Sequence, residues 1–340
     1  MLTKEVDNLL HQAVNDISGD RVLICPLNWG IGHATRCVPI IKVLLEHKKT
    51  VIIAASGFPL EFLKLEFPDI ETINFPGFRV KYSSKSSQVK ILLMQLPHIL
   101  KSLFREHKKL KQICQKHQID TIISDNRFAL WNNRVYSVYI THQLMIKVPF
   151  NSRYFEKILW RIHRWFIHRY DRCWIPDLPM PQSVAGDLTQ KYKLPKNGYF
   201  IGILSRFTDL KTDSIVSPYE VIALVSGPEP QRSILENKLI QHLQKDLFKS
   251  LIIRGLPCEK IEETHILNIT LLSHLDTPTL KQLLLTTPTI ICRSGYSTLM
   301  DLISIDRKAL LIPTPGQTEQ EYLAQNMQQF GFKTLLQEYL

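Results

Sequence analysis

The sequence predicts an α/β fold of two doubly wound, parallel-sheet domains that face each other across a cleft. Three observations predict it. Short apolar runs alternate with stretches at helical spacing along the whole chain, the pattern of parallel strands with crossover helices on both faces. The chain, at 340 residues, is long enough for two separate cores. The alternation pauses at a polar stretch, TDLKTDSIVSP (208–218), and then restarts. That pause divides the chain into residues 1–207 and 208–340 and places a ligand between the halves, at the C-terminal ends of the strands.

In the first half, RVLICPL (21–27) is an unbroken apolar run that reads as a buried parallel strand, and IIKVLLEH (40–47) is apolar at helical spacing. Between them lies NWGIGHATR. A Gly-x-Gly turn from strand to helix brings backbone N–H groups and the positive helix end up to a ligand, so Gly30 and Gly32 are candidate phosphate-binding positions. His33 stands at the lip of that turn. An imidazole there can take or give a proton near neutral pH. Pro39, inside the apolar pattern, implies a kink or a later helix start. A dinucleotide turn fits poorly. The third glycine of GxGxxG would fall at Thr35, and the next strand, TVIIAAS (50–56), ends without an acidic residue for a ribose.

FPLEFLKLEF (58–67) reads as a helix and ETINFPG (71–77) as a further strand. A long basic helical region follows at 89–117, interrupted by Pro97. TIISD (121–125), SVYITHQ (137–143), CWIPD (173–177) and YFIGIL (199–204) are short apolar strands. Asp125, Arg127 and His142 come directly after such strands, on the cleft edge, where they can orient an acceptor. A structural ion pair between Asp125 and Arg127 is the equal alternative. FEKILWRIHRWFIHRYDRCW (155–174) interleaves aromatics with Arg and His. It reads as an amphipathic helix packed on the sheet with a solvated basic face, or as a docking element for anionic lipid.

The second half opens with the strand EVIALVSG (220–227) and a helix near 231–246, then the strands LIIRG, ILNITLLSHL, TIICRSG and ALLIP with helices between. TIICRSGYSTLMDL (289–302) repeats the opening design: an apolar strand runs into Ser294 and Gly295, and a helix begins near Tyr296. The hydroxyl and N–H groups there suit a phosphate, and Asp301, two turns further on, suits a ribose diol. The plain alternatives are an N-cap and a solvated helix residue. After ALLIPTPGQ (309–317), Glu319, Gln320 and Glu321 suit the hydroxyls of a sugar, or form an acidic first turn favoured by the helix dipole.

Composition bounds the class. Apolar content is 44% and charged content 21%, ordinary for a globular protein, and no apolar run reaches the about 18 residues of a membrane span. No basic segment followed by an apolar core opens the sequence, so no secretory signal is expected. Six scattered cysteines without CxxC spacing imply reduced, mostly buried thiols and a cytoplasmic location. The net charge of +11 is uneven: residues 1–175 carry +12 and residues 176–340 carry −1, and all five Trp lie in the first half. Nucleic acid, an anionic membrane surface and an anionic acceptor are the partners such a basic half suits. The two-domain pattern and the lack of an RNA-stacking motif count against nucleic acid.

Taken together, GIGH after the first strand, Gly202 to Arg206 at the junction, CRSG with an acidic residue further along the helix, and IPTPGQTEQ resemble the GT-B glycosyltransferases with their two Rossmann-like domains. Within them the chain is most similar to the MurG-like group, over most of residues 21–330. The resemblance implies His33 as base and the Gly32 loop against a diphosphate. It implies Arg206 on the donor phosphates, Ser226 and Gly227 in a second phosphate loop, and Ser294 and Gly295 beside the nucleotide. Asp301 takes the ribose position usually held by Glu, Gln320 and Glu321 read the donor sugar, and backbone near 275–277 holds the uracil. Three departures stand out. SGPEPQR (226–232) replaces a glycine-rich loop and its prolines remove N–H donors. Pro39 lies in the first helix. The family continues past the sugar-reading helix with helices that pack on the first domain, which implies a shortened donor domain or weaker closure here.

The expected activity is therefore an inverting transfer of a hexose or N-acetylhexosamine from a UDP-sugar to an acceptor hydroxyl, on a glycan or a lipid-linked molecule. No cofactor or metal is expected, since no DxD-type dyad stands at a strand end. GIGHATR is also similar to the GxGHxxR loop of the nucleotide-sugar hydrolase of pseudaminic acid synthesis, so hydrolysis of a UDP-sugar is the rival reading. A non-catalytic nucleotide-sugar or nucleic-acid binder is the third.

Overall fold

A computed structural model describes residues 2–77, 88–148, 152–208 and 216–340. In the first domain β1 (Arg21–Pro26), β2 (Thr50–Ala55), β3 (Glu71–Asn74), β4 (Thr121–Asp125), β5 (Tyr136–Ile140), β6 (Arg172–Ile175) and β7 (Gly198–Phe200) form a parallel sheet in the order β3-β2-β1-β4-β5-β6-β7. Its helices are α1 (Leu2–Asn15), α2 (Ile31–Glu46), α3 (Phe58–Glu66), α4 (Gln88–Lys116), α5 (Arg153–Ile167) and the single turn α6 (Asp187–Gln190).

The second domain repeats the plan with β8 (Val221–Leu224), β9 (Ser250–Ile253), β10 (Glu263–Ile266), β11 (Ile269–Leu272), β12 (Thr289–Cys292), β13 (Leu310–Leu311) and β14 (Lys333–Thr334), ordered β10-β11-β9-β8-β12-β13-β14. Between them run α7 (Gln231–Leu243), α8 (Thr277–Thr286), α9 (Tyr296–Ser304) and α10 (Thr318–Asn326).

The unbroken apolar strands are explained by burial on both faces. Along β1, Val22 and Ile24 face the core that contains Ala34, Val38 and Ile41 of α2, whereas Leu23 and Cys25 face Leu110, Ile113 and Cys114 of α4. In the second domain Ile222 and Ile290 pack toward Leu299 and Met300 of α9, and Ala223 and Ile291 toward Leu235 and Leu239 of α7. The core on the α2 and α9 side is continuous through both domains and takes in Leu323 and Ala324 of α10. The domains are therefore joined by buried apolar surface as well as by polar contacts.

Three sequence expectations are corrected, and one strand was not foreseen. Helix α2 starts at Ile31, immediately after Gly30, and runs through Pro39, which is buried at its ninth position. A four-residue loop, 27–30, leads out of β1, and Gly30 at its end turns the chain into the helix at φ 142°. Helix α4 likewise runs through Pro97. ILNITLLSHL is not one strand: Ile266 ends β10, Leu267 and Asn268 form the tip of an antiparallel hairpin, and 269–272 are β11; Leu267 adopts φ 52° at the tip, and the Asn268 side-chain amide donates to the Leu243 and Phe248 carbonyls. Strand β14, two residues long, is too short for any periodicity to betray. Most of the polar stretch proposed as interdomain linker, residues 209–215, lies outside the described residues. Among the described residues no helix is long and apolar enough to cross a membrane.

Candidate active site

Two helix N-termini meet where the domains face each other. In neither α2 nor α9 does the N-cap residue (Gly30, Gly295) accept or supply a side-chain cap, so N–H groups of each first turn remain available to a ligand. The helices touch directly: the Ser297 hydroxyl donates to the Gly32 carbonyl at 2.7 Å. A Cβ at Gly32 would lie 3.3 Å from that hydroxyl oxygen, which explains a small residue there. Ser294 does not cap α9. Its hydroxyl donates to the Gln320 carbonyl at 2.7 Å and pins the start of α10.

Beside this contact lies an interdomain cleft of about 630 Å³, counting its open mouth. Gly32, Arg206, Ser226 and Asp301, all singled out from sequence, line it, as does Leu275 from the segment expected to hold a uracil. Gly227 follows Ser226 at φ 113°, with open space around it. Arg206 and Asp301 bind each other: Arg206 Nε donates to Asp301 Oδ2 at 3.1 Å and Ser205 Oγ to Oδ1 at 2.8 Å. Burial pushes the Asp301 carboxyl upward, and Arg206 and Ser205 offset only part of it. The two residues thus act on a ligand as one unit.

The acceptor side holds a buried polar network. Arg36 is 1% exposed and lies against Asp125, which is 0% exposed. Its Nε donates to Asp125 Oδ2 at 2.8 Å and its Nη2 to Oδ1. Arg36 Nη1 is 2.8 Å from His142 Nδ1. A guanidinium can only donate, so His142 accepts at Nδ1 and its Nε2–H donates across the cleft to Glu319 Oε1 at 2.7 Å. The His142 ring stacks on Tyr296, with centroids 4.1 Å apart.

His33 and Glu319 are the partly exposed members, and His33 Nδ1 lies 3.1 Å from Asp125 Oδ2 and 2.9 Å from Arg36 Nη2. Asp125 favours the Nδ1–H tautomer, with Nε2 free to accept a proton; Arg36 favours the opposite one. Burial alone would raise the Asp125 carboxyl, but Arg36 and His33 outweigh it and hold it at about 2. Burial likewise opposes ionisation of Glu319, yet His142 and the nearby cations keep its carboxyl below the usual range.

A pH dependence follows. Burial lowers the pKa of His142, only partly offset by Glu319, and burial lowers His163 to about 4. In the unfolded chain both imidazoles take a proton near pH ~6.5, so their contribution to stability is complete above that pH and is lost as pH falls towards 4. Asp125, with its depressed pKa, adds a further loss from about pH 4 down to about 2. Urea midpoints measured at stepped pH are expected to fall continuously from pH 7 downward; a midpoint flat to pH 4 would contradict this.

Other sequence candidates sit elsewhere. Arg127 is not paired with Asp125. It is buried against Glu106 of α4 at 2.9 Å and over the Phe75 ring, away from His33. Gln320 Oε1 accepts from the Thr314 N–H at 2.9 Å, and Glu321 Oε1 from the Gly316 N–H at 2.8 Å, so both hold the Pro/Gly loop. Of the three residues chosen as sugar readers, Glu319 alone reaches the first domain. Sequence reasoning did not single out Arg36, although it follows His33 by three residues on one helix and so shares its face. Arg293, 2% exposed, was also passed over: its guanidinium donates to the Ile312, Pro313 and Gln231 carbonyls and ties three loop ends together beneath α9. The described residues hold no group of three or more His, Cys, Asp or Glu that could bind a metal ion.

No protein-family model matches the chain. Two curated relatives are each named an uncharacterized glycosyltransferase. The one from Methanosarcina acetivorans is 23% identical, covering 93% of this chain and 85% of the relative. The one from Methanosarcina mazei is 22% identical, covering 93% and 85%. Among solved structures, the glycosyltransferase SnogD from Streptomyces nogalater superimposes with a TM-score of 0.59 at 12% identity, covering 95% of this chain and 88% of that one. Arabidopsis thaliana UGT89C1, solved with UDP-L-rhamnose, gives 0.57 at 13%, covering 94% and 86%. The fold is thus that of the GT-B glycosyltransferases, two α/β domains whose described residues form seven strands each, parallel except for β10.

Proposed function

We propose that the chain is a glycosyltransferase that moves a hexose or N-acetylhexosamine from a UDP-sugar to an acceptor hydroxyl with inversion at the anomeric carbon. The observation that carries this reading is His33, held against Asp125 at 3.1 Å, opening beside the meeting point of two uncapped helix N-termini. One group there takes a proton and the other two stabilise an anion. The likeness of CRSG and IPTPGQTEQ to MurG-like enzymes supports the donor class, as does the UDP-sugar in the UGT89C1 structure.

In this mechanism the acceptor hydroxyl gives its proton to His33 Nε2 as its oxygen bonds to the anomeric carbon. The bond from that carbon to the diphosphate oxygen breaks on the opposite face, and UDP leaves with the electron pair. The N–H groups of α2 and α9, with Arg206, receive the developing charge. In this reading Asp125 prevails over Arg36 in setting the accepting tautomer of His33 and stabilises the imidazolium, while Glu319 and His142 hold the domains in register. No step calls on a metal ion.

The test is incubation of the purified chain with UDP-sugars and candidate acceptors, following UDP release and the anomeric configuration of the product by NMR. The expected product has the configuration opposite to the donor's, and turnover is expected to persist in EDTA. A product with retained configuration would overturn the inverting mechanism. Rapid stoichiometric sugar release without acceptor would instead identify a hydrolase.

A further inference from the structure

We propose that His274 is the side chain by which the cleft selects uracil over cytosine, by donating a hydrogen bond to the 4-oxo group of the base. The inference rests on the proposed binding of a UDP-sugar in this cleft and names the group that reads its base.

Strand order sets where the base falls. At the C-terminal edge of the second sheet the loops follow their strands in the order β11-β9-β8-β12. The loop after β12 opens α9, whose N–H groups are assigned to the diphosphate. The loop after β8 brings Ser226, the loop after β9 brings Gly255 and Pro257, and the loop after β11 brings His274 and Leu275, all onto the wall of the same cleft. His274 is thus three strand spacings, about 14 Å, from the start of α9. A nucleoside diphosphate lying along this edge with its phosphates at α9 crosses β8 and β9 with its ribose and reaches β11 with its base. Position 4 of a pyrimidine is opposite the nitrogen that carries the ribose, so it is the part of the base that meets the far loop.

The wall there offers one polar side chain. Of the cleft residues after β9 and β11, Gly255, Pro257 and Leu275 present no hydrogen-bonding side chain, and His274 does. Its Nδ1 lies 3.1 Å from the hydroxyl oxygen of Ser273, a residue 1% exposed. That oxygen already accepts from the Glu262 N–H at 2.9 Å, and the neighbouring Cys258 thiol donates to the Lys260 carbonyl at 2.9 Å. The Ser273 hydroxyl proton therefore goes to His274 Nδ1, and the network assigns the ring proton to Nε2. Nε2 bonds no described residue. Burial lowers the pKa of the imidazole and Asp276 opposes this only in part, so the ring is neutral at pH 7.

A neutral imidazole held in this tautomer presents a donor, and only a donor, to the base. Uracil meets it with the O4 acceptor. Cytosine meets it with an amino group, so two N–H groups face each other and both go unpaired, which costs more than a missing contact.

The test is titration calorimetry of UDP and of CDP with the full chain, His274→Ala and Ser273→Ala. The parent is expected to bind UDP at least about tenfold tighter than CDP. In His274→Ala the two affinities are expected to converge, chiefly through loss of UDP affinity. In Ser273→Ala the freed Nδ1 can take the ring proton, so Nε2 can accept from the cytosine amino group, and CDP affinity is expected to rise. A serine that only holds the loop would instead weaken both nucleotides alike. Retention of the parent urea midpoint establishes that each variant is folded, and His274→Ala decides alone where Ser273→Ala does not fold. Equal binding of UDP and CDP by the parent, or an unchanged ratio in His274→Ala, would overturn the proposal and leave the nucleotide cleft in place. Absence of binding by either nucleotide would overturn both.

Discussion

Replacing His33 by alanine is expected to lower kcat by about 10²–10⁴-fold, the range that a positioned general base contributes, while UDP affinity changes little. The expectation follows from geometry. The imidazole leans on Asp125 through Nδ1 and, with Glu319, is a partly exposed member of a network whose other side chains are buried. The groups assigned to the diphosphate are backbone N–H groups of α2 and α9 and the Arg206 side chain, and none of them uses the His33 ring. A change confined to kcat marks an interaction made in the transition state only. Parallel loss of UDP affinity would make His33 a binding residue, and undiminished turnover would remove it from the mechanism.

The largest stability effect is expected at Arg36. Its guanidinium bonds Asp125 through two nitrogens and His142 through the third, all in a buried setting. Arg36→Met leaves the Asp125 carboxylate buried without its cation, and breaking a buried pair in this way costs about 3–5 kcal/mol. Urea unfolding of the variant reads this directly. Adding Asp125→Asn removes the stranded charge, so the double variant is expected to be more stable than Arg36→Met alone. Both variants should also lose turnover, since His33 and His142 lose the partner that fixes their rings. An Arg36→Met protein as stable as the parent would show that the network is not the anchor described above.

The sequence and the structure agree where a single segment carries the signal. RVLICP into Gly30, and TIIC into Gly295, are strand-to-helix turns whose residue types dictate them: apolar runs, glycines, then helical spacing. Both sheets were legible for this reason, as was the cleft wall of Gly32, Arg206, Ser226 and Asp301. Hidden features depend on apposition. The bond from His142 to Glu319 joins residues 177 positions apart, and no local pattern forecasts it. Asp125 had two arginines within reach in sequence terms; it takes Arg36 because α2 packs over the end of β4, whereas Arg127 turns to Glu106 on α4. The hairpin of β10 and β11 escaped because Leu-Asn is a weak turn signal beside Asn-Gly.

The central claim is that the interdomain cleft binds a nucleoside diphosphate through α2, α9 and Arg206. A thermal-shift panel of UDP, dTDP, ADP and GDP against the parent chain and Arg206→Ala tests it most directly, because a ligand that binds the folded state raises its midpoint. UDP is expected to raise the parent midpoint most and to lose much of that shift in Arg206→Ala. No shift with any nucleotide, or a UDP shift untouched by Arg206→Ala, would contradict the account.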